Sequence, residues 1–138
     1  MSTREKSGCP INLSLELLGD RWTLLIVRDL IFAGKKHFRE FLLSDEGISS
    51  RTLAERLQTL QEEGIVTRSG DPSHKLKAIY RLTEAGIDVL PVLATLSAWG
   101  SKYRKADGEL ARVADELAAG GEEALERMKQ QLRAEHIG

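Results

Sequence analysis

A single cysteine, Cys9, stands among 138 residues, so no disulfide can close within one chain and a reducing compartment is expected. No apolar run approaches the roughly 18 residues needed to span a bilayer; Leu24-Leu25-Ile26-Val27 is among the longest. The opening MSTREKSGCP is polar, which predicts no secretory signal. The three histidines, His37, His74 and His136, lie far apart, and no His/Cys spacing suits zinc. Gly120-Gly121 lacks the flanking strand and spaced glycines of a phosphate-binding loop. A cytoplasmic protein without catalysis, cofactor, metal or membrane contact is the expectation.

Net charge is also small, −1 overall, but it is unevenly placed. Residues 1–106 carry 16 Lys+Arg against 13 Asp+Glu, a balance of +3, whereas residues 107–138 carry 4 against 8, a balance of −4. Only the first part is suited to face phosphate. The division predicts a domain over 1–106 and an acidic helical extension over 107–138.

Punctuation and periodicity fill in the elements. Pro10 starts a first helix that Gly19 ends, and Asp20 caps a second, strongly apolar helix over Arg21–Phe32. A short helix begins near His37, with Phe38, Phe41 and Leu42 facing inward, and Asp45-Glu46-Gly47-Ile48 makes a turn. Ser49 caps the next helix, which stops at Gly64. Ile65–Arg68 and Ala78–Leu82 read as strands around a polar loop at Ser69–His74. Thr83 then caps a long helix running to Tyr103, which Pro91 should kink. Two more helical stretches, about Gly108–Ala119 and Glu122–Glu135, break at Gly120-Gly121. The fold class is mostly α with a small β-hairpin (α+β), a winged helix-turn-helix with a long C-terminal dimerisation helix and a helical tail.

Within that frame the helix over about Ser49–Glu63 is informative. Leu53, Leu57 and Leu60 form one narrow stripe, leaving the opposite side polar. In a helix-turn-helix, the second helix packs by such a stripe and offers its other face to the major groove, where base edges demand hydrogen-bonding side chains. Ser49, Ser50, Arg51, Thr52 and Arg56 have suitable chemistry for bases or nearby phosphates. His74, Lys75 and Lys77 on the wing, about Ser69–Lys77, and Lys36 and Arg39 at the motif's entry suit the flanking backbone. Each feature also has an ordinary explanation: polar faces are usually just solvated, and lysines keep hairpin edges from pairing.

Cys9-Pro10 and Leu18-Gly19-Asp20-Arg21-Trp22-Thr23-Leu24-Leu25-Ile26-Val27-Arg28-Asp29-Leu30 make a long N-terminal signature. It continues through His37-Phe38-Arg39-Glu40-Phe41, Gly47-Ile48-Ser49, Leu53-Ala54-Glu55-Arg56-Leu57, Leu60 and Glu63-Gly64-Ile65-Val66. Tyr80-Arg81-Leu82-Thr83-Glu84-Ala85-Gly86, Pro91-Val92-Leu93 and Trp99-Gly100 complete it. Over about residues 8–103 these stretches closely resemble the HxlR-type transcriptional regulators.

The resemblance implies a nucleoid-associated homodimer, formed through the first and the long C-terminal helix, on a twofold-symmetric operator in double-stranded DNA. Two linked recognition helices combine their binding free energies and should meet grooves about 34 Å apart. Leu13, Leu17, Val92, Leu96, Trp99 and Tyr103 are the candidate interface, although Trp99 would serve equally well in a monomer core. The resemblance also implies sensing of oxidants or electrophiles through Cys9. There the start of a helix, with Arg4 and Lys6 nearby, favours thiolate; an inert cysteine at a helix start is the alternative. Two rivals remain: a regulator controlled by a small apolar ligand between the long helices, and a winged-helix protein-interaction module without DNA binding.

Overall fold

The computed structural model describes residues 7–138, the side chain of Lys75 excepted. Arg4 and Lys6, invoked above beside Cys9, lie outside the described residues.

Helix α1 (Pro10–Leu18) begins at a proline, whose missing N–H costs nothing in a first turn. Helix α2 (Arg21–Phe32) is capped by Asp20, whose carboxylate accepts from the N–H groups of Trp22 and Thr23 at 3.0 and 3.2 Å. Helix α3 (Phe38–Phe41) and helix α4 (Ser50–Glu62) form the helix-turn-helix. Between them Gly47, with φ of 75°, closes a turn by donating to the Ser44 carbonyl. At the end of α4, Gly64 takes the left-handed conformation and Ile65 N–H bonds back to the Leu60 carbonyl.

Strands β1 (Val66–Asp71) and β2 (His74–Leu82) pair antiparallel, from Val66↔Leu82 to Gly70↔Ala78 and then Asp71↔His74. The hairpin is longer than the sequence suggested. The Asp71 carboxylate accepts from the backbone and hydroxyl of Ser73 at 2.8 and 2.7 Å, which tightens the turn to Pro72-Ser73 and draws the rest of the expected loop into the strands.

The helix expected to run unbroken from Thr83 is divided into α5 (Glu84–Ile87) and α6 (Leu90–Tyr103). Pro91 does not kink a continuous helix; it sits in the first turn of α6, where no N–H is required. Thr83 caps α5, accepting from Gly86 N–H and donating to the Gly64 and Ile65 carbonyls. Gly86 is pressed so closely onto the Ile65 carbonyl that a Cβ there would collide with it.

Helix α7 (Gly108–His136) contains the expected interruption, at Gly121, where φ is 67° and ψ is −157°. Its two arms return to the body. Leu117 and Leu132 join the hydrophobic cluster that Val27, Leu30, Phe41, Leu53, Leu57, Leu60, Leu82 and Leu90 build. Arg133 pairs with Glu84 at 2.8 Å, Lys129 with Asp88 at 3.2 Å, and His136 Nδ1 accepts from Leu82 N–H at 3.0 Å. The acidic extension therefore packs on the same core as residues 1–106. Among the described residues, no helix is long and apolar enough to cross a membrane.

Candidate nucleic-acid interface

Leu53, Leu57 and Leu60 of α4 are fully buried, so the opposite side of the helix is committed to the outside. Ser50, Arg51, Ala54, Glu55, Gln58, Thr59 and Glu62 occupy it. Arg51, in the first turn, has a side chain 88% exposed, and its partner among the described residues is Glu55 one turn on, at 3.6 Å. Ser49 and Thr52 are partly engaged with each other: Ser49 Oγ accepts from Thr52 N–H at 3.1 Å and lies 3.0 Å from its hydroxyl.

Arg56 points elsewhere. Its Nε donates to Asp20 at 2.8 Å, which ties α4 to the N-terminus of α2. Burial pushes the Asp20 carboxyl up, but the bonds from Thr23 and Arg56 outweigh it and leave the pKa below its ordinary value.

Lys36 and Arg39 are exposed beside α3, and His74 and Lys77 on the wing. Two contacts hold these basic segments together. Tyr80 N–H donates to the Lys36 carbonyl at 2.8 Å, and His37 Nε2 lies 2.9 Å from Asp71 Oδ2 at the wing tip. The bonds from Ser73, then that from His37, hold the Asp71 carboxyl well below the usual carboxylate range. Glu40 completes the brace, accepting at 2.9 Å from the backbone N–H groups of Lys36 and His37.

A second network fixes the turn ahead of α4. Asp29 is buried, 5% exposed, and it receives Arg28, Lys35 and the Ser44 hydroxyl. Arg28 also forks onto Glu46 at 2.7 and 2.9 Å, drawing the Glu46 carboxyl down to about 2. Besides its neighbour Arg28, the partners of Asp29 come from the α2–α3 loop and the α3–α4 turn, for which a linear pattern gives no signal.

Val92, Leu96, Trp99 and Tyr103 all lie outside the core, on one flank of α6. Trp99 is 58% exposed, and its ring centroid is 5.2 Å from that of Tyr103. Leu13 is exposed as well, whereas Leu17 packs against the core. Cys9 is the exposed N-cap of α1. The backbone N–H groups of Asn12 and then Ile11 face its sulfur and lower the thiol pKa. A cavity of about 580 Å³ opens between α2, the α3–α4 turn, α6 and α7, with Leu24, Phe32, Leu96 and Leu110 among its walls.

The family model described as HxlR-like helix-turn-helix matches residues 17–108. The HTH-type transcriptional regulator Mb3122 of Mycobacterium bovis is 41% identical over 96 residues, which are 70% of this chain and 60% of that one. The chain thus spans less than two thirds of the length of that relative. The HTH-type transcriptional regulator YodB of Bacillus subtilis is 36% identical, over 69% of this chain and 85% of its own. Its reduced form superposes with a TM-score of 0.59 at 35% identity, covering 73% of this chain and 100% of YodB. YodB has also been solved diamide-treated and quinone-bound. The redox regulator HypR, in its oxidized form, superposes with a TM-score of 0.62 at 31% identity, covering 71% of this chain and 100% of HypR.

Proposed function

This chain belongs to the HxlR-like helix-turn-helix family, and from that premise we propose that it is a transcriptional regulator binding a twofold-symmetric operator in double-stranded DNA as a homodimer. The observation that carries the proposal is the division of α4 into three buried leucines and an exposed polar face led by Arg51. Arg51 forks onto a guanine edge, exchanging its loose pair with Glu55 for two directed hydrogen bonds. Ser50 and the first-turn N–H groups meet phosphate. Lys36, Arg39, His74, Lys75 and Lys77 hold the flanking backbone. Arg56, engaged by Asp20, contributes mainly by fixing the angle of α4.

The exposed flank of α6 supports pairing of two copies. Val92, Leu96, Trp99 and Tyr103 form an apolar stripe along α6 that a second copy would cover, and Leu13 of α1 is exposed as well. Leu17 supports α1 from beneath.

Selection of bound sequences from random duplexes tests the proposal. A palindromic site with half-sites about 10 base pairs apart is expected. Arg51→Ala should then cost about 1–3 kcal/mol and blur one base position. Absence of any preferred duplex overturns the proposal and leaves the protein-interaction module.

Cys9 supplies the second element. A thiolate exposed at a helix start adds to an electrophilic quinone carbon; with diamide, two Cys9 thiols from two chains join as a disulfide and pass their two protons and two electrons to the N=N bond of diamide, which becomes the hydrazine. YodB, solved reduced, diamide-treated and quinone-bound, and HypR, solved reduced and oxidized, support this as the signal. No operator release by diamide, together with a thermal shift from a small apolar ligand that is equal in wild type and Cys9→Ser, would instead favour a ligand in the 580 Å³ cavity.

A further inference from the structure

The wing has an irregularity that its charge alone does not explain. Cross-strand partners step from Gly70↔Ala78 directly to Asp71↔His74. Lys75, Leu76 and Lys77 therefore have no partner on β1 and form a three-residue bulge on β2. At its apex Leu76 is 92% exposed. Single exposed leucines are common, and this one is distinguished by its surroundings. It stands between two lysines in the chain, two residues after His74, on the bulge of an anchored hairpin. The acid of the tip, Asp71, is turned back onto His37 and Ser73. What faces outward at the apex is one aliphatic side chain, whose neighbours along the chain are lysines.

A protein partner would call for a contiguous apolar patch of several hundred Å². The other large exposed hydrophobics lie on α1, α6, α7, the α3–α4 turn and the C-terminal end, none of them in the hairpin. The minor groove answers both features: phosphates rim it, its walls are deoxyribose carbon and hydrogen, and apolar side chains lodge between its base steps. Resting on the DNA-binding function proposed above, we propose that Leu76 is an apolar wedge for the minor groove beside the operator. It makes affinity depend on how readily the flanking base steps open, a form of sequence reading without base hydrogen bonds.

The experiment uses the full chain and the best duplex recovered by selection. Affinity is measured by fluorescence anisotropy, and DNA bending by energy transfer between labelled duplex ends. Leu76→Ser touches no core residue, so thermal unfolding should match wild type. The variant should bind about tenfold more weakly, the equivalent of about 1.4 kcal/mol, and bend the duplex less, with an unchanged salt slope. Lys77→Ala should do the opposite, lowering the salt slope by about one per protomer while keeping the bend. Netropsin bound at the flank should erase the difference between wild type and Leu76→Ser. Wild-type affinity and bending in Leu76→Ser overturn the inference and leave DNA binding intact. So does a Leu76→Ser effect confined to sedimentation of the free protein, which would assign the leucine to contact between copies. A wild type without any preferred duplex overturns both.

Discussion

Arg56 Nε lies 2.8 Å from Asp20 Oδ2, 36 positions away in the chain, and the same carboxylate caps α2 through Trp22 and Thr23. One side chain thus terminates one helix and orients another. Asp20→Ala removes the cap and frees Arg56 together. The cap alone is worth about 0.5–2 kcal/mol, and the partly exposed ion pair adds little. Urea denaturation should register a loss in that range. Arg56→Ala should lose less stability yet weaken operator binding, because α4 is left less firmly oriented.

Gly86→Ala should be more harmful than its chemistry suggests. The new methyl meets the Ile65 carbonyl and the Leu82 side chain, so α5 must move off the root of the wing. Overpacking of this kind costs about 1–3 kcal/mol, read as a lower denaturation midpoint at an unchanged slope. Gly100, around which an added Cβ meets nothing, provides the control: Gly100→Ala should be neutral or slightly stabilising, as alanine suits a helix better.

The α6 stripe predicts the oligomeric state. Leu96→Lys and Trp99→Glu each put charge into an apolar contact between copies, and both side chains are exposed in the single chain. The variants should keep their fold by circular dichroism and sediment as monomers, with operator affinity falling steeply. Dimers that survive both changes would place the interface elsewhere.

His136 gives a pH dependence. Burial holds its imidazole pKa below the ordinary value, and Nδ1 accepts from Leu82 N–H, which requires that nitrogen to be unprotonated. A depressed pKa means that the unfolded chain takes up the proton more readily. The contact therefore contributes its full stability above about pH 6.5 and loses it as pH falls through the lower folded value. The protection factor of the Leu82 amide, taken against its intrinsic exchange rate at each pH, should fall between pH 7 and 5 in wild type and be low throughout in His136→Ala.

Much of this architecture is written locally. As helix ends, Pro10, Asp20, Ser49, Gly64 and Thr83 work through neighbours close in the chain, and each marks a helix boundary where the sequence puts it. Pro91 misled because a proline inside a periodic apolar stretch fits both a kink and a fresh start, and only the turn at Asp88-Val89 decides. The hairpin was underestimated because Ser69 and Gly70 are poor strand formers, recruited by the Asp71–Ser73 turn. Arg56 sits on the polar side of its helix in any linear reading; its partner, 36 residues earlier, is visible only once α2 and α4 cross. His37 with Asp71 is likewise non-local.

The knot of charge around Asp29 carries an evolutionary corollary. Arg28, Lys35, Ser44 and Glu46 either share that carboxylate or answer one another across it, so exchanging any one strands the rest beside a hydrophobic interior. Among descendants of a common ancestor these five positions should drift as a block, surviving intact or being replaced wholesale by aliphatic residues, with half-converted intermediates scarce.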